Sequence, residues 1–201
     1  MKKRKILTIL ITLLAIFVLL ILSLNSPNIQ KTDNGISNFV LKNQNETLFN
    51  FSKIIGVIFD TLPMIFISLI TSLALLLKSR KKEAQCLAIT TLITGGLIFL
   101  IKKLIERPRP LFELVKETSA SFPSGHTTIA VVFFGLLIFL ISVHAKTKSQ
   151  KKTFSIASIF MIVVISLSRL YLNVHWFSDI IGGAVLGSSI VLASIYFYKK
   201  H

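Results

Sequence analysis

The 201-residue chain has one cysteine, one tryptophan and only eight acidic side chains. A lone Cys86 excludes any internal disulfide, and with it the small cross-linked secreted scaffolds. Charged residues make up 15% of the chain against 53% hydrophobic ones, and mean hydropathy is +0.76. That balance excludes an ordinary soluble globule. The scarcity of acids leaves 23 Lys and Arg poorly matched, for a formal net charge of +15. Two classes of protein carry such an excess. A nucleic-acid binder clusters its cations on a polar face beside stacking aromatics, whereas a multi-span membrane protein places them in short cytoplasmic loops.

What the sequence does have is long apolar runs. Ile6 to Leu24 is an uncharged stretch of ~19 residues, enough to cross a hydrocarbon core of ~30 Å at ~1.5 Å per residue. Similar runs cover Ile54 to Leu77, Ala84 to Ile101, Thr127 to Ala145, Thr153 to Leu172 and Ile180 to Tyr198. None alternates with the period of two that a barrel strand requires, so the expectation is an all-α bundle of six membrane-spanning helices. There are no internal repeats or low-complexity tracts. Residues 1–24 read as an anchor helix, 25–53 as an extracytoplasmic loop with room for an interfacial helix, and 54–201 as one transmembrane domain. The first run is long for a signal-peptide core, and Ser23-Leu24-Asn25 is a poor cleavage site, so it is expected to stay as an anchor. Cys86 reads as small apolar filler in the third span.

Cation placement orients the bundle. With the amino terminus inside, 14 of the 23 Lys and Arg and one of the eight acids fall in inside segments, giving about +13 inside and +2 outside. This is the bias that sets membrane topology. Both termini are therefore expected in the cytoplasm of a plasma-membrane protein. Nucleic acid drops out as a partner. Between the first two spans, Phe39, Val40, Leu41, Leu48, Phe49 and Phe51 recur at loosely helical spacing, as in a helix lying on the outer interface or a loop folded over the bundle. Asn45-Glu46-Thr47 matches a glycosylation acceptor, a tripeptide too common to carry weight.

Three polar clusters interrupt the apolar background, all at the outer ends of spans. In Lys102-Lys103-Leu104-Ile105-Glu106-Arg107-Pro108-Arg109-Pro110 the prolines stop the third helix and stiffen its exit. Alone, these cations suit either snorkelling or ligand binding. In Phe122-Pro123-Ser124-Gly125-His126-Thr127-Thr128, Pro and Ser favour a helix start. Gly allows close approach of an anion to exposed N–H groups, and His126 is either a cap or a proton donor. Third comes Ser168-Arg169-Leu170-Tyr171-Leu172-Asn173-Val174-His175-Trp176-Phe177-Ser178-Asp179. His175 and Asp179, four apart, share one face of a helical turn, where a carboxylate holds Nδ1–H and leaves Nε2 as a nucleophile, or where the pair simply ties two helices together. Arg169 offers a planar fork for phosphate. Together the clusters gather cations, two histidines and one aspartate at one end of the bundle, which suits an oxyanion and phosphoryl transfer to histidine. A zinc site built from His126, His175 and Asp179 is the competing chemistry, opposed by the neighbouring cations.

On these residues the chain resembles the type 2 phosphatidic acid phosphatase family, which shares its active-site pattern with vanadium-dependent haloperoxidases. Pro123-Ser124-Gly125-His126 matches the central motif. Ser168-Arg169, five residues, His175, three residues and Asp179 match the last. The first motif departs from the longer form, which has six residues between its lysine and its Arg-Pro pair. Four separate Lys102 from Arg107 and three separate Lys103 from it; Lys102 is the choice and Lys103 the alternative. The resemblance covers about Ile54 to Tyr198. It implies that His175 attacks phosphorus, Asp179 orients it, and His126 protonates the leaving oxygen and then activates water. It also implies that Lys102, Arg107, Ser124, the Gly125 N–H and Arg169 hold the phosphate, with no metal and no cofactor.

A site at the membrane interface suits a lipid phosphate or diphosphate: a polyprenyl diphosphate, the favoured expectation, phosphatidylglycerophosphate or phosphatidate. Trp176, Phe177, Phe122 and Phe112 flank it, as guides for lipid chains or, by preference, as an interfacial belt. Rival readings are a phosphotransferase with the same site and a small anion-binding transporter. The transporter is disfavoured because span interiors hold almost no ionisable residue, Asp60 near Pro63 being the nearest exception. Asp60 is expected at the outer edge, supporting the site or a loop. Oligomeric state is open.

Overall fold

The computed structural model describes residues 3–199 and is built from helices: α1 Lys3–Ser23, α2 Pro27–Lys42, α3 Glu46–Ile58, α4 Thr61–Leu77, α5 Lys81–Ile105, α6 Gly125–His144, α7 Lys148–Tyr171 and α8 Phe177–Tyr198. Lys2 and Lys200, counted above among the inside cations, lie outside the described residues. Helices α1, α5, α6, α7 and α8 are each long and apolar enough to cross a membrane. Helices α3 and α4 pass the same test as a pair, bent by 52°.

That bend corrects the expected second span, Ile54 to Leu77. The chain breaks at Phe59-Asp60, where Asp60 caps α4 by accepting a hydrogen bond from Thr61 N at 2.6 Å. A residue that prefers to satisfy a free helix N–H ends one helix and begins another, whatever the hydropathy around it. The stretch between the first two spans, where the sequence left room for an interfacial helix, holds α2 and the start of α3. Ser26 caps α2 with Pro27 in its first turn, and Asn45 caps α3 by accepting from Leu48 N at 3.1 Å. Helix α5 ends where Glu106 turns left-handed, at φ 47°, before Pro108.

Helix α6 is the centre of the bundle, with α4, α5, α7 and α8 packed around it. Its residues Gly125 to Phe133 are buried without a break. Phe122, Ile129, Val132, Leu136, Met64 and Leu87 are fully buried members of the core. The close approach of α8 depends on glycine. A Cβ on Gly183 would stand 2.8 Å from the Ser124 carbonyl oxygen, and one on Gly182 would strike the Phe122 ring. Small residues that let backbones meet are the usual means of helix association in lipid, where burial of apolar surface alone gives little drive. Outward faces carry Phe66, Ile70, Leu77, Phe99 and Phe160, all well exposed, as helices bathed in acyl chains require. At the cation-rich end His144 and Glu83 meet at 2.7 Å and join α6 to α5.

Candidate active site

The opposite end of the bundle gathers the three polar clusters. Ser124 caps α6, its hydroxyl accepting from Thr127 N at 3.4 Å, so Gly125 and His126 occupy the first turn with its unpaired N–H groups. Ser124 N donates to the Asp179 carbonyl oxygen at 3.1 Å, which stitches the start of α6 to the start of α8. Asp179 is fully buried. Its Oδ2 accepts from Trp176 N at 2.9 Å and faces His175 Nδ1 at 3.4 Å, while Oδ1 accepts from Arg107 at 2.5 Å. The carboxylate thus orients His175 Nδ1 and leaves Nε2 free. Burial, followed by the charges of Arg109, Lys102 and Arg169, pushes the His175 pKa well below its ordinary 6.5. The imidazole is held neutral, the form with a nucleophilic lone pair.

His126 is 5% exposed and its Nε2–H donates to the Gly56 carbonyl oxygen at 2.9 Å, with Asp60 Oδ1 at 3.5 Å from the same nitrogen. Those contacts hold the proton on Nε2 and leave Nδ1 for proton exchange. Asp60 thereby supports the site, at the break in the second span. The two lysines point in different directions from α5. Lys102 turns inward to the Ala120 carbonyl oxygen and to Ser119 Oγ at 3.3 Å, whereas Lys103 is exposed.

Arg107, expected to hold phosphate, and Arg109 have different partners. Arg107 donates to Asp33 at 2.8 Å as well as to Asp179 at 2.5 Å, so both ends of its fork are taken by buried carboxylates, behind His175. Arg109 is the arginine whose charge bears most on His175. Its guanidinium is placed by the Val174 carbonyl oxygen at 2.6 Å and the Ser119 carbonyl oxygen at 2.8 Å. Burial lowers its pKa, opposed chiefly by Glu117. Arg169 is 3% exposed, is paired with Glu117 at 2.5 Å, and has an Nε without a hydrogen-bond partner among the described residues.

Two of these were missed in the sequence. The signal for Arg109 was available, because six residues separate Lys102 from Arg109-Pro110, the longer spacing of the first motif. Asp33 had no local signal. It is 2% exposed and accepts from Ser178 N at 2.9 Å and Ser178 Oγ at 2.6 Å, 145 positions away. Among the flanking aromatics, Phe122 departs from the interfacial belt. It is fully buried and stacks on Phe17 with centroids 5.7 Å apart, because it anchors the loop before α6 in the core. Trp176 stays near the surface, under the Arg107 guanidinium at 5.7 Å.

Residues 83–201 match the PAP2 superfamily. The chain belongs to that superfamily. It is 38% identical to phosphatidylglycerophosphatase B of Bacillus subtilis over 91 residues, 44% of each chain. It is 33% identical to undecaprenyl-diphosphatase of Sulfolobus acidocaldarius over 134 residues, 63% of this chain and 60% of the other. These matches span less than two thirds of either relative. The fold resembles the crystal structure of a transmembrane PAP2 phosphatidylglycerolphosphate phosphatase from Bacillus subtilis with a TM-score of 0.80, at 27% identity over 95% of this chain and 96% of that one. As a PAP2 protein, it carries all of its motif residues at one end of the bundle.

Proposed function

We propose that the protein is a membrane lipid phosphatase that cleaves a lipid phosphomonoester or diphosphate through a phosphohistidine, on the extracytoplasmic face of the plasma membrane. His175 Nε2 attacks phosphorus as the bond to the leaving oxygen breaks, and that oxygen takes the Nδ1 proton of a doubly protonated His126, whose Nε2–H stays on the Gly56 carbonyl oxygen. Water then attacks phosphorus, His126 accepts its proton, the P–N bond breaks and inorganic phosphate leaves. Asp179 holds His175 Nδ1–H throughout. Lys102, Arg109, Arg169, Ser124 Oγ and the Gly125 N–H hold the phosphate oxygens and neutralise charge as it grows. Arg107, expected among the phosphate ligands, is assigned instead to holding Asp179.

The observation that carries this reading is a buried, neutral His175 backed by Asp179 and surrounded by Arg109, Lys102 and Arg169. Names borne by similar proteins support the lipid class, since phosphatidylglycerophosphate and undecaprenyl diphosphate both present a terminal phosphate at headgroup depth. The membrane face rests on the Lys and Arg bias. The test is release of inorganic phosphate by the purified protein in detergent, from a panel of lipid mono- and diphosphates. Wild type is expected to turn over at least one of them, and His175→Ala none, with unchanged expression and thermal unfolding. Full activity in His175→Ala would exclude the covalent route.

A further inference from the structure

The position between the two arginines of the site is not vacant. Glu117, on the irregular segment between α5 and α6, sets one carboxylate oxygen 2.5 Å from Arg169 and the other 3.6 Å from Arg109. One carboxylate thus spans the two guanidinium groups to which the phosphatase reading gives the phosphate. A cavity of about 660 Å³ on the Lys102 and Arg109 side and another of about 350 Å³ on the Asp60 and Arg169 side both have Glu117 in their walls. The carboxylate therefore stands at the partition between them. Arg169 meanwhile keeps a buried Nε with no partner among the described residues, a donor that the carboxylate leaves unused. A phosphoryl group, with three or more acceptor oxygens, reaches donors that a two-oxygen carboxylate leaves idle.

We propose that Glu117 is a resident competitor for the phosphate position and thereby a specificity-determining residue, displaced by the dianion of a lipid phosphomonoester or diphosphate but not by the monoanion of a phosphodiester. The reasoning is electrostatic. A cationic site at headgroup depth faces a large excess of phosphodiester lipids, each with a single negative charge. Such a headgroup gains little over a carboxylate of equal charge already in place. A terminal phosphate carries close to two charges near neutral pH and wins the exchange. Movement is feasible, because the Glu117 side chain is 30% exposed and its segment is neither helix nor strand. No bond is made or broken in the exchange, and the carboxylate moves to solvent as the phosphate enters.

This inference rests on the phosphatase reading and is tested with the purified full chain in mixed micelles, using phosphatidate turnover, inorganic phosphate as inhibitor and phosphatidylglycerol as diluent. Glu117→Gln is expected to lower the Ki for inorganic phosphate and the KM for phosphatidate by on the order of tenfold. It is also expected to become sensitive to phosphatidylglycerol, while wild type is indifferent to it. Glu117→Asp, which keeps the charge, should stay closer to wild type than Glu117→Gln does. An unchanged or raised Ki in Glu117→Gln overturns the proposal. So does strong inhibition of wild type by phosphatidylglycerol, however the variants fold. If wild type hydrolyses no lipid phosphate, the phosphatase reading fails. The competitor is then tested by thermal unfolding with inorganic phosphate, where greater stabilisation of Glu117→Gln than of wild type supports it and equal stabilisation overturns it.

Discussion

His175 shows how far one side chain is governed by its surroundings. In a solvated peptide its imidazole would be half protonated near pH 6.5. Here burial and the charges of Arg109, Lys102 and Arg169 depress that value, so the neutral imidazole persists as pH falls through 6.5 and is lost only well below it. Phosphoenzyme trapped by rapid quench into alkaline detergent, measured against reaction pH, should therefore keep its amplitude at pH 6 and decline only at lower pH. A midpoint at or above 6.5 would contradict the electrostatic account. Residue identity in the two later motifs was legible because their spacings are strict. The arginines were harder to separate, since Arg107 and Arg109 lie two apart in an extended Arg-Pro-Arg-Pro run. The six-residue spacing from Lys102 points to Arg109, and the partners of the two, Asp33 and Asp179 for one and the backbone around His175 for the other, separate them in space.

At the scale of elements, α2 matters most, because it brings Asp33 to the start of α8. Asp33, Arg107 and Asp179 form a buried relay of carboxylate, guanidinium and carboxylate. Removing Arg107 would leave two buried carboxylates without their partner, a cost of ~3–5 kcal/mol in buried pairs, whereas removing Asp33 leaves Arg107 paired with Asp179 and costs less. Asp33→Asn should lower the unfolding temperature in detergent and reduce kcat more than it raises KM, since the loss reaches Asp179 and not the phosphate. In a double-mutant cycle with Arg107→Gln, the two changes should be strongly non-additive; simple additivity would show the pair to be uncoupled. The α6–α8 contact makes a second forecast. Gly183→Ala places a methyl group against the Ser124 carbonyl oxygen and should cost ~1–3 kcal/mol of stability, with a matching loss of activity as Ser124 and Asp179 are pushed apart. Helices of this kind were visible as apolar runs. The break at Asp60 was hidden inside one, because hydropathy averages over a cap that a single carboxylate creates.

Across the whole molecule, charge and chemistry divide between the two ends. Most cations sit at the end holding the α4–α5 and α6–α7 turns, and the motif residues sit at the other. If the positive end is cytoplasmic, then in a Cys86→Ala background Phe112→Cys should react with an impermeant thiol reagent on intact cells and Lys78→Cys should not. The reverse pattern would invert the proposed topology. The sequence by itself determined the helical class and the ends of most spans, because lipid demands apolar runs of set length, and it singled out the motif histidines, because the motifs place few residue types at strict spacings. Only the tertiary structure decided which arginine faces His175, that Asp33 stands behind Asp179, and that Glu117 lies between Arg109 and Arg169. Apart from Arg109, which the spacing from Lys102 also marks, and the short Arg109–Glu117 contact, these are meetings of residues 52 or more positions apart, set by the packing of helices.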